Sequence, residues 1–283
     1  MKVGYLGPPG TYAEEALLRL VGPEPHQTLV PYPTVIDCFH AVRGGGVPEA
    51  LVPIENSIEG SVNQTLDQLA AADGEVSIVA EIVQPVRHHL AARRRLALGE
   101  ITRVLSHPHA TPQCTGFLRE HLPGVETVAT NSTADAMRIV SETDEPWAAI
   151  GTLRAADIYG CEVLAADIED ARDNATRFVL LAREPVEALG PGSFGTSIIC
   201  VPPRDRPGVL LAILQEFAMR AVNLTKLESR PAKTGLGRYL FFIDMEGSRG
   251  RDLAVDAAIR AIEEQGVARV VFLGSYPARA TSG

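Results

Sequence analysis

The sequence predicts an α/β protein: two lobes of alternating strand and helix, followed by a smaller βαββαβ unit. Three observations carry this. Short apolar runs alternate with helix-compatible stretches from Lys2 to about Asp167. A Gly, Pro and Ser segment from Glu187 to Gly195 lets no apolar period cross it. After that segment the order becomes β, α, β, β, α, β. With 283 residues, the chain has length for about two domains.

In chain order, the strand-like runs of the first part are Val3 to Leu6, Ala50 to Ile54, Val76 to Val83, Arg103 to Leu105, Val125 to Val128 and Trp147 to Ile150. Helical stretches alternate with them at Tyr12 to Leu20, Val35 to Val42, Val62 to Ala71, Pro112 to His121, Ala134 to Val140 and Leu153 to Ile158. This βαβαβα order, given twice, predicts a largely parallel sheet in each lobe. The Val76 to Leu90 segment joins the lobes, and Asp173 to Leu181 crosses back. Ligands of open α/β sheets bind beyond the carboxyl ends of strands, so the site is expected in the cleft. The last part reads Thr196 to Val201, Pro207 to Met219, Leu224 to Ser229, Leu236 to Met245, Leu253 to Gln265 and Ala268 to Phe272, a ferredoxin-like βαββαβ order. Pro207 suits a first helical turn and Asp205 a cap.

Composition narrows the function. The chain is 46% hydrophobic and 22% charged, as in a globular protein with an ample core, and its net charge of −9 has the wrong sign for nucleic acid or anionic lipid. No apolar run is long enough for a membrane span, and MKVGYLGPPG lacks a signal-peptide core, so a cytoplasmic location is expected. Cys38, Cys114, Cys161 and Cys200 are scattered without CxxC spacing, which predicts reduced thiols and no structural metal. The only lysines are Lys2, Lys226 and Lys233, and no Lys follows Gly7-Pro8-Pro9-Gly10-Thr11, so pyridoxal and NTPase chemistry are disfavoured.

Four polar clusters fall where strands end: Gly7 to Tyr12, Pro53 to Gly60, Ser106 to Ala110 with Gln113, and Asn131 to Ala134. Each alone reads as a helix cap. Together, as helix N-termini rich in N–H groups and hydroxyls, they suit a small polycarboxylate. His107-x-His109 has Pro108 between and no nearby carboxylate pair, which argues against a metal, and His88 and His89 are read the same way.

The motifs GxxGTYxxxA at Gly7 to Ala16, PIENSxxG at Pro53 to Gly60, SHPxAxxQC at Ser106 to Cys114 and NxTRF at Asn174 to Phe178 resemble the prephenate dehydratase family. DRPGxL at Asp205 to Leu210 and Glu228-Ser229-Arg230-Pro231 resemble the ACT regulatory domain. The resemblance covers the chain and implies a two-lobed, periplasmic-binding-protein-like catalytic domain over 1–186, a linker at 187–195, an ACT domain over 196–276 and a tail at 277–283. It implies decarboxylation and dehydration of prephenate to phenylpyruvate, with no cofactor, and feedback inhibition by phenylalanine. Nothing helical precedes Val3, which implies a monofunctional form without a fused chorismate mutase.

The resemblance also implies roles. Thr176 would hydrogen-bond or protonate the leaving hydroxyl, helped by a relay because a threonine hydroxyl is a weak acid. Arg177 would pair with a substrate carboxylate or, if turned away, with Glu55 or Glu59. Thr11, Asn56, Ser57, Ser106, Gln113 and Phe178 would surround the substrate, Phe178 as core or cleft wall. His109 stands where the family usually has Gln. Phenylalanine would sit at an interface between two ACT domains, against Arg206, Pro207, Gly208, Val209 and Leu210, with Gly208 in a first helical turn. Asn223, Leu224, Glu228, Ser229, Arg230 and Pro231 would complete that site. The unpaired sheet edge and helix-free face of such a unit predict a homo-dimer or tetramer. An arogenate dehydratase and a non-catalytic two-lobed sensor of small anions remain as alternatives. The TRF segment separates the second from an enzyme, since a binder needs no proton donor.

Overall fold

The computed structural model describes residues 2–22, 28–185, 192–204, 206–233, 235 and 237–277. Its first strands and helices are β1 (Lys2–Leu6), α1 (Tyr12–Val21), β2 (Thr28–Tyr32), α2 (Val35–Arg43), β3 (Glu49–Asn56), β4 (Gly60–Ser61), α3 (Asn63–Ala72) and β5 (Ser77–Pro85). They are followed by β6 (His89–Ala92), β7 (Arg103–Ser106), α4 (Thr115–His121), β8 (Glu126–Ala129), α5 (Thr133–Ser141), β9 (Trp147–Gly151), α6 (Leu153–Ile158), β10 (Glu162–Ala165) and β11 (Ala175–Ala182). The last set is β12 (Phe194–Val201), α7 (Val209–Ala218), β13 (Leu224–Pro231), β14 (Tyr239–Glu246), α8 (Leu253–Glu264) and β15 (Arg269–Pro277).

Three sheets result. The first has the order β2-β1-β3-β11-β5 with β4 beside β3, the second β10-β6-β9-β7-β8, and the third β13-β14-β12-β15. By compactness the chain divides into one unit of residues 1–38, 51–62 and 82–178 and another of 39–50, 63–81 and 179–283. No helix among the described residues is long and apolar enough to cross a membrane.

In the first unit, local capping explains the helix starts. Thr11 accepts from the Glu14 N–H, Ser132 from Asp135 and Thr152 from Ala155, each as an N-cap. Thr152 also donates to the Gly10 carbonyl at 2.7 Å, and the buried Glu14 carboxylate accepts from Gly10 N and pairs with Arg154 at 2.7 Å. Leu90, Val104, Leu105 and Ile150 of the second sheet pack with Met137 and Val140 of α5 into one apolar core. Two chain crossings lie side by side: Val86 N donates to Asn174 O, and Ile168 N to His88 O, both at 2.9 Å.

Several expectations need correction. Strands β2, β4, β6 and β10 carry no clear signal, because β2 and β10 are sheet edges, β4 is two residues long, and β6 is buried throughout. Pro31 within β2 is tolerated only because that strand is an edge. The sheets are mixed rather than largely parallel: β7 pairs parallel with β8 and β9, but β6 runs antiparallel to β9 and β10. Strand β6 enters from a crossing segment instead of a βαβ return, which reverses its direction.

The third sheet, in the second unit, is antiparallel in every pairing, with β12 and β14 central. Ile198, Phe241, Ile243 and Met245 face Val209, Ile213 and Phe217 of α7 and Val255, Ile259 and Ile262 of α8. The topology is the expected ferredoxin-like one. Helix α7 starts at Val209 rather than Pro207, because Gly208 has φ +82° and caps the helix from outside. Phe194 and Gly195 belong to β12 and not to a linker. Asp205, residues 186–191 of the linker region and the tail beyond Pro277 lie outside the described residues.

Three glycines test this packing. A Cβ on Gly274 would lie 2.1 Å from the Ile78 carbonyl oxygen and one on Gly10 2.8 Å from the Ala155 Cα, whereas Gly22, also at positive φ, has open space around it. Gly274→Ala and Gly10→Ala are expected to lose at least about 3 kcal/mol, and Gly22→Ala about 1 kcal/mol, in urea unfolding. Equal losses at all three would show that conformation, not close approach, sets the cost.

Candidate active site

The site is built from the first unit alone. Strand β3 ends at Asn56, and β4 pairs back on it with Asn56 opposite Gly60. Pro53 to Gly60 is therefore a strand end and turn, not the expected helix N-terminus, and α3 starts only at Asn63. The Asn56 side-chain oxygen closes this turn by accepting from Ile58 N at 2.9 Å and Glu59 N at 3.0 Å. Its amide then reaches across to β11, donating to Thr176 Oγ1 at 2.9 Å, Asn174 Oδ1 at 2.9 Å and Ala175 O at 3.2 Å. Ser57 holds the same junction, its N–H on Ala175 O and its hydroxyl accepting from Ala175 N.

From Asn174 the network continues inward. Its amide donates to Gln113 Oε1 at 2.8 Å, and the same oxygen lies 3.0 Å from His88 Nε2. His88 Nδ1 lies 3.0 Å from the Tyr12 hydroxyl, which also meets the Arg87 carbonyl. Both His88 and Asn174 are only 2% exposed. Tyr12 has one proton for two acceptors, the Arg87 carbonyl and His88 Nδ1; with that proton on Nδ1 and Nε2–H on Gln113, the imidazole is neutral. Burial pushes the His88 pKa below its ordinary value, outweighing the Gln113 hydrogen bond. Burial likewise holds the Tyr12 hydroxyl protonated far above its usual range. The result is a chain of neutral groups, Tyr12, His88, Gln113, Asn174 and Asn56, ending on Thr176.

Thr176 receives a hydrogen bond, and no acceptor among the described residues takes its own proton. Glu59 lies beside this end, accepting from Gln113 Nε2 at 3.4 Å and standing 3.7 Å from His109. Of the two roles open to Arg177, the geometry displays the ion pair, with Glu55 Oε2 at 3.8 Å. Neighbouring strand residues point to opposite faces, so Arg177 with Glu55 stands away from Thr176 with Asn56. Phe178 is buried in the core.

Other expected residues are occupied elsewhere. The Thr11 hydroxyl donates to Leu6 O and caps α1, while its neighbour Tyr12 carries the link to the cluster. Ser106 is fully buried, its hydroxyl on Ile150 O at 2.9 Å, and ties β7 to β9. Asn174 and His88 were not among the expected site residues. The NxTRF motif held the signal for Asn174. Nothing local marks His88, whose partners come from distant segments.

In the second unit the expected effector residues divide. Arg206, Pro207 and Gly208 are exposed ahead of α7, and Val209 is buried. Opposite residues of paired strands share a face, so Ser229, opposite Phe241, is on the helix side of β13, while Glu228, opposite Phe242, and Arg230, opposite Leu240, are on the helix-free side. Asn223 O accepts from Glu246 N, and Leu224, opposite Met245, opens β13. Arg230 pairs with Asp67 of α3 at 2.6 Å and also reaches Asn63.

Fold and site together define an α/β enzyme domain with a hydroxyl donor at the end of a buried neutral network, joined to a ferredoxin-like module. Residues 3–186 match the prephenate dehydratase family and residues 203–264 the ACT domain, so the chain belongs to the prephenate dehydratase family. It is 38% identical to the prephenate dehydratase of Bacillus subtilis over 98% of each chain. A structure of prephenate dehydratase from Arthrobacter aurescens in complex with L-Phe is 37% identical with a TM-score of 0.89, covering 98% of this chain and 90% of that one. A structure described as a novel type of quorum quenching acylase is 29% identical with a TM-score of 0.85, covering 99% and 98%.

The neutral imidazole has a thermodynamic consequence. Because folding lowers the His88 pKa, the unfolded chain binds more protons below about pH 6.5, and stability falls as pH drops through that window. His88→Gln is expected to make the loss between pH 7 and 5 shallower, by up to about 1.4 kcal/mol per pH unit where the proton difference is complete. A parallel pH dependence in both proteins, followed by chemical denaturation, would show that folding leaves the His88 pKa unshifted.

Proposed function

We propose that this chain converts prephenate to phenylpyruvate with Thr176 as the hydroxyl that meets the leaving oxygen. The bond from the ring to its carboxylate breaks and releases carbon dioxide. That electron pair completes the aromatic ring as the 4-hydroxyl departs, taking up one proton to leave as water. Aromatisation supplies the driving force, so the protein has to orient the dianion and stabilise the departing oxygen. The observation that carries the assignment is the Asn56 amide on Thr176 Oγ1, which fills the acceptor side of the hydroxyl and leaves its proton for a ligand. Gln113, Asn174 and Asn56 hold this geometry without adding a competing charge. Arg177 is assigned to support of Glu55 and the β3 to β11 junction, with the same β11 segment as the reacting hydroxyl.

Thr176→Ala is expected to lower kcat by at least about 100-fold with KM changed far less, and Thr176→Ser to recover most of the loss. The assay follows phenylpyruvate absorbance in alkali, with arogenate in parallel to decide between the keto and amino forms of the substrate. Near-normal turnover by Thr176→Ala would remove the hydroxyl from the mechanism. Absence of phenylpyruvate from wild type would overturn the activity itself.

The proposed division is a catalytic domain over 1–186 and a regulatory domain over 196–276, in a cytoplasmic enzyme of phenylalanine synthesis. Phenylalanine is assigned to the Gly208 cap of α7 and the start of β13, at a junction between two copies. The Arthrobacter relative was solved in complex with L-Phe, which supports phenylalanine as the effector. Leu211 of α7, Met219 just after that helix and Leu227 of the edge strand β13 are exposed, apolar surface that a second copy would cover. Light scattering should give a dimer or tetramer, and Gly208→Trp should abolish both phenylalanine binding and inhibition. A monomer with intact inhibition would sink the interface assignment.

A further inference from the structure

Within the second unit, a cavity of about 930 Å³ lies between α3 and the helix-free face of the third sheet. Ala70 of α3 and Ile199, Phe242 and Val271 of the sheet give it apolar walls. Around them stand five cations, Arg204, Arg230, Lys233, Arg238 and Arg269, against three carboxylates, Asp67, Asp73 and Glu263. Arg230 and Lys233 share Asp67, and Arg269 pairs with Asp73. Among the described residues neither Arg204 nor Arg238 has a carboxylate partner. Arg230 Nε is buried without an acceptor, although the other nitrogens of the guanidinium are engaged.

We propose that this cavity is a small-molecule site for a compact apolar body that ends in one carboxylate. Its volume falls in the range of ligand pockets, about 300 to 1,000 Å³. The apolar walls match a ring or branched chain rather than a sugar or nucleotide. A guanidinium binds carboxylate through a planar fork, and two such groups without an acidic partner among the described residues set the charge preference. The cavity borders the Gly208 cap assigned to phenylalanine, since Val209, Arg230 and Pro231 of the expected effector segments also line it. The test therefore has to tell the two places apart.

The probe is 3-phenylpropionate, which has the ring and carboxylate without an α-amino group, titrated calorimetrically into the full chain. Saturable binding at one site per chain is expected. Arg238→Ala should weaken it at least tenfold, Ala70→Phe should abolish it by filling the cavity, and Gly208→Trp should leave it within twofold. The neutral amide of the probe should not bind. Arg238 is on the surface, so that variant tests the charge even if Ala70→Phe fails to fold. Prephenate turnover by Arg238→Ala, measured in parallel, should stay within twofold, which separates this site from the catalytic reading. Absence of saturable binding to wild type, equal affinity in Arg238→Ala, or binding lost only in Gly208→Trp would each overturn the proposal.

Discussion

One side chain, Asn56, joins strand ends that are 118 to 120 residues apart in sequence. Its oxygen shapes the turn after β3 and its amide fixes the start of β11, so the two motifs proposed to carry the chemistry are held by a single planar group. A primary amide can do this because it offers two donors and a two-lone-pair acceptor in fixed geometry. A carboxylate there would lose the donors, and an apolar residue would leave the Ile58 and Glu59 N–H groups unsatisfied. The position of Thr176 depends on this junction, and so does the direction left open to its proton.

Behind that junction the protein has built a buried path of neutral groups. Leaving any one polar group of such a path unpaired costs more than one satisfied hydrogen bond contributes, so the path holds together as a whole. His88 belongs to it because burial disfavours its charged form, and Glu169 anchors it by accepting from the His88 N–H at 2.9 Å. That same glutamate pairs with Arg87, so the crossing segment that delivers His88 is pinned on two sides. Neutrality suits a site for a dianion, where fixed dipoles can orient the substrate without exchanging protons with it.

In the second unit the deciding contact is electrostatic. Burial alone would raise the Asp67 carboxyl, yet the hydrogen bonds from Lys233 and Arg230 hold it below the usual range. Asp67 thereby keeps two cations at one end of α3, Asp73 takes Arg269, and among the described residues Arg204 and Arg238 have no acid. The charge imbalance of the cavity follows from that arrangement rather than from composition, since the chain as a whole is acidic.

By itself the sequence determined what is local. Thr11, Ser132 and Thr152 announce their helices because a cap needs only a hydroxyl three residues before an N–H, and NxTRF, PIENSxxG and the βαββαβ order were legible for the same reason. It did not determine strands without alternation, such as β6, or edge strands such as β2 and β10, whose identity lies in their partners. Ser106 and Thr11 looked like ligands to substrate, but a hydroxyl at a strand end serves a cap, a neighbouring carbonyl or a ligand with the same local pattern. Only the tertiary structure decided which. It also brought His88 to Gln113 and Asp67 to Arg230, and it placed Glu228 and Arg230 on one face of β13 and Ser229 on the other. These are choices made by burial and by pairings of groups far apart in the chain, and no short-range pattern encodes the energy of a hydrogen bond whose partner arrives only when the chain has folded.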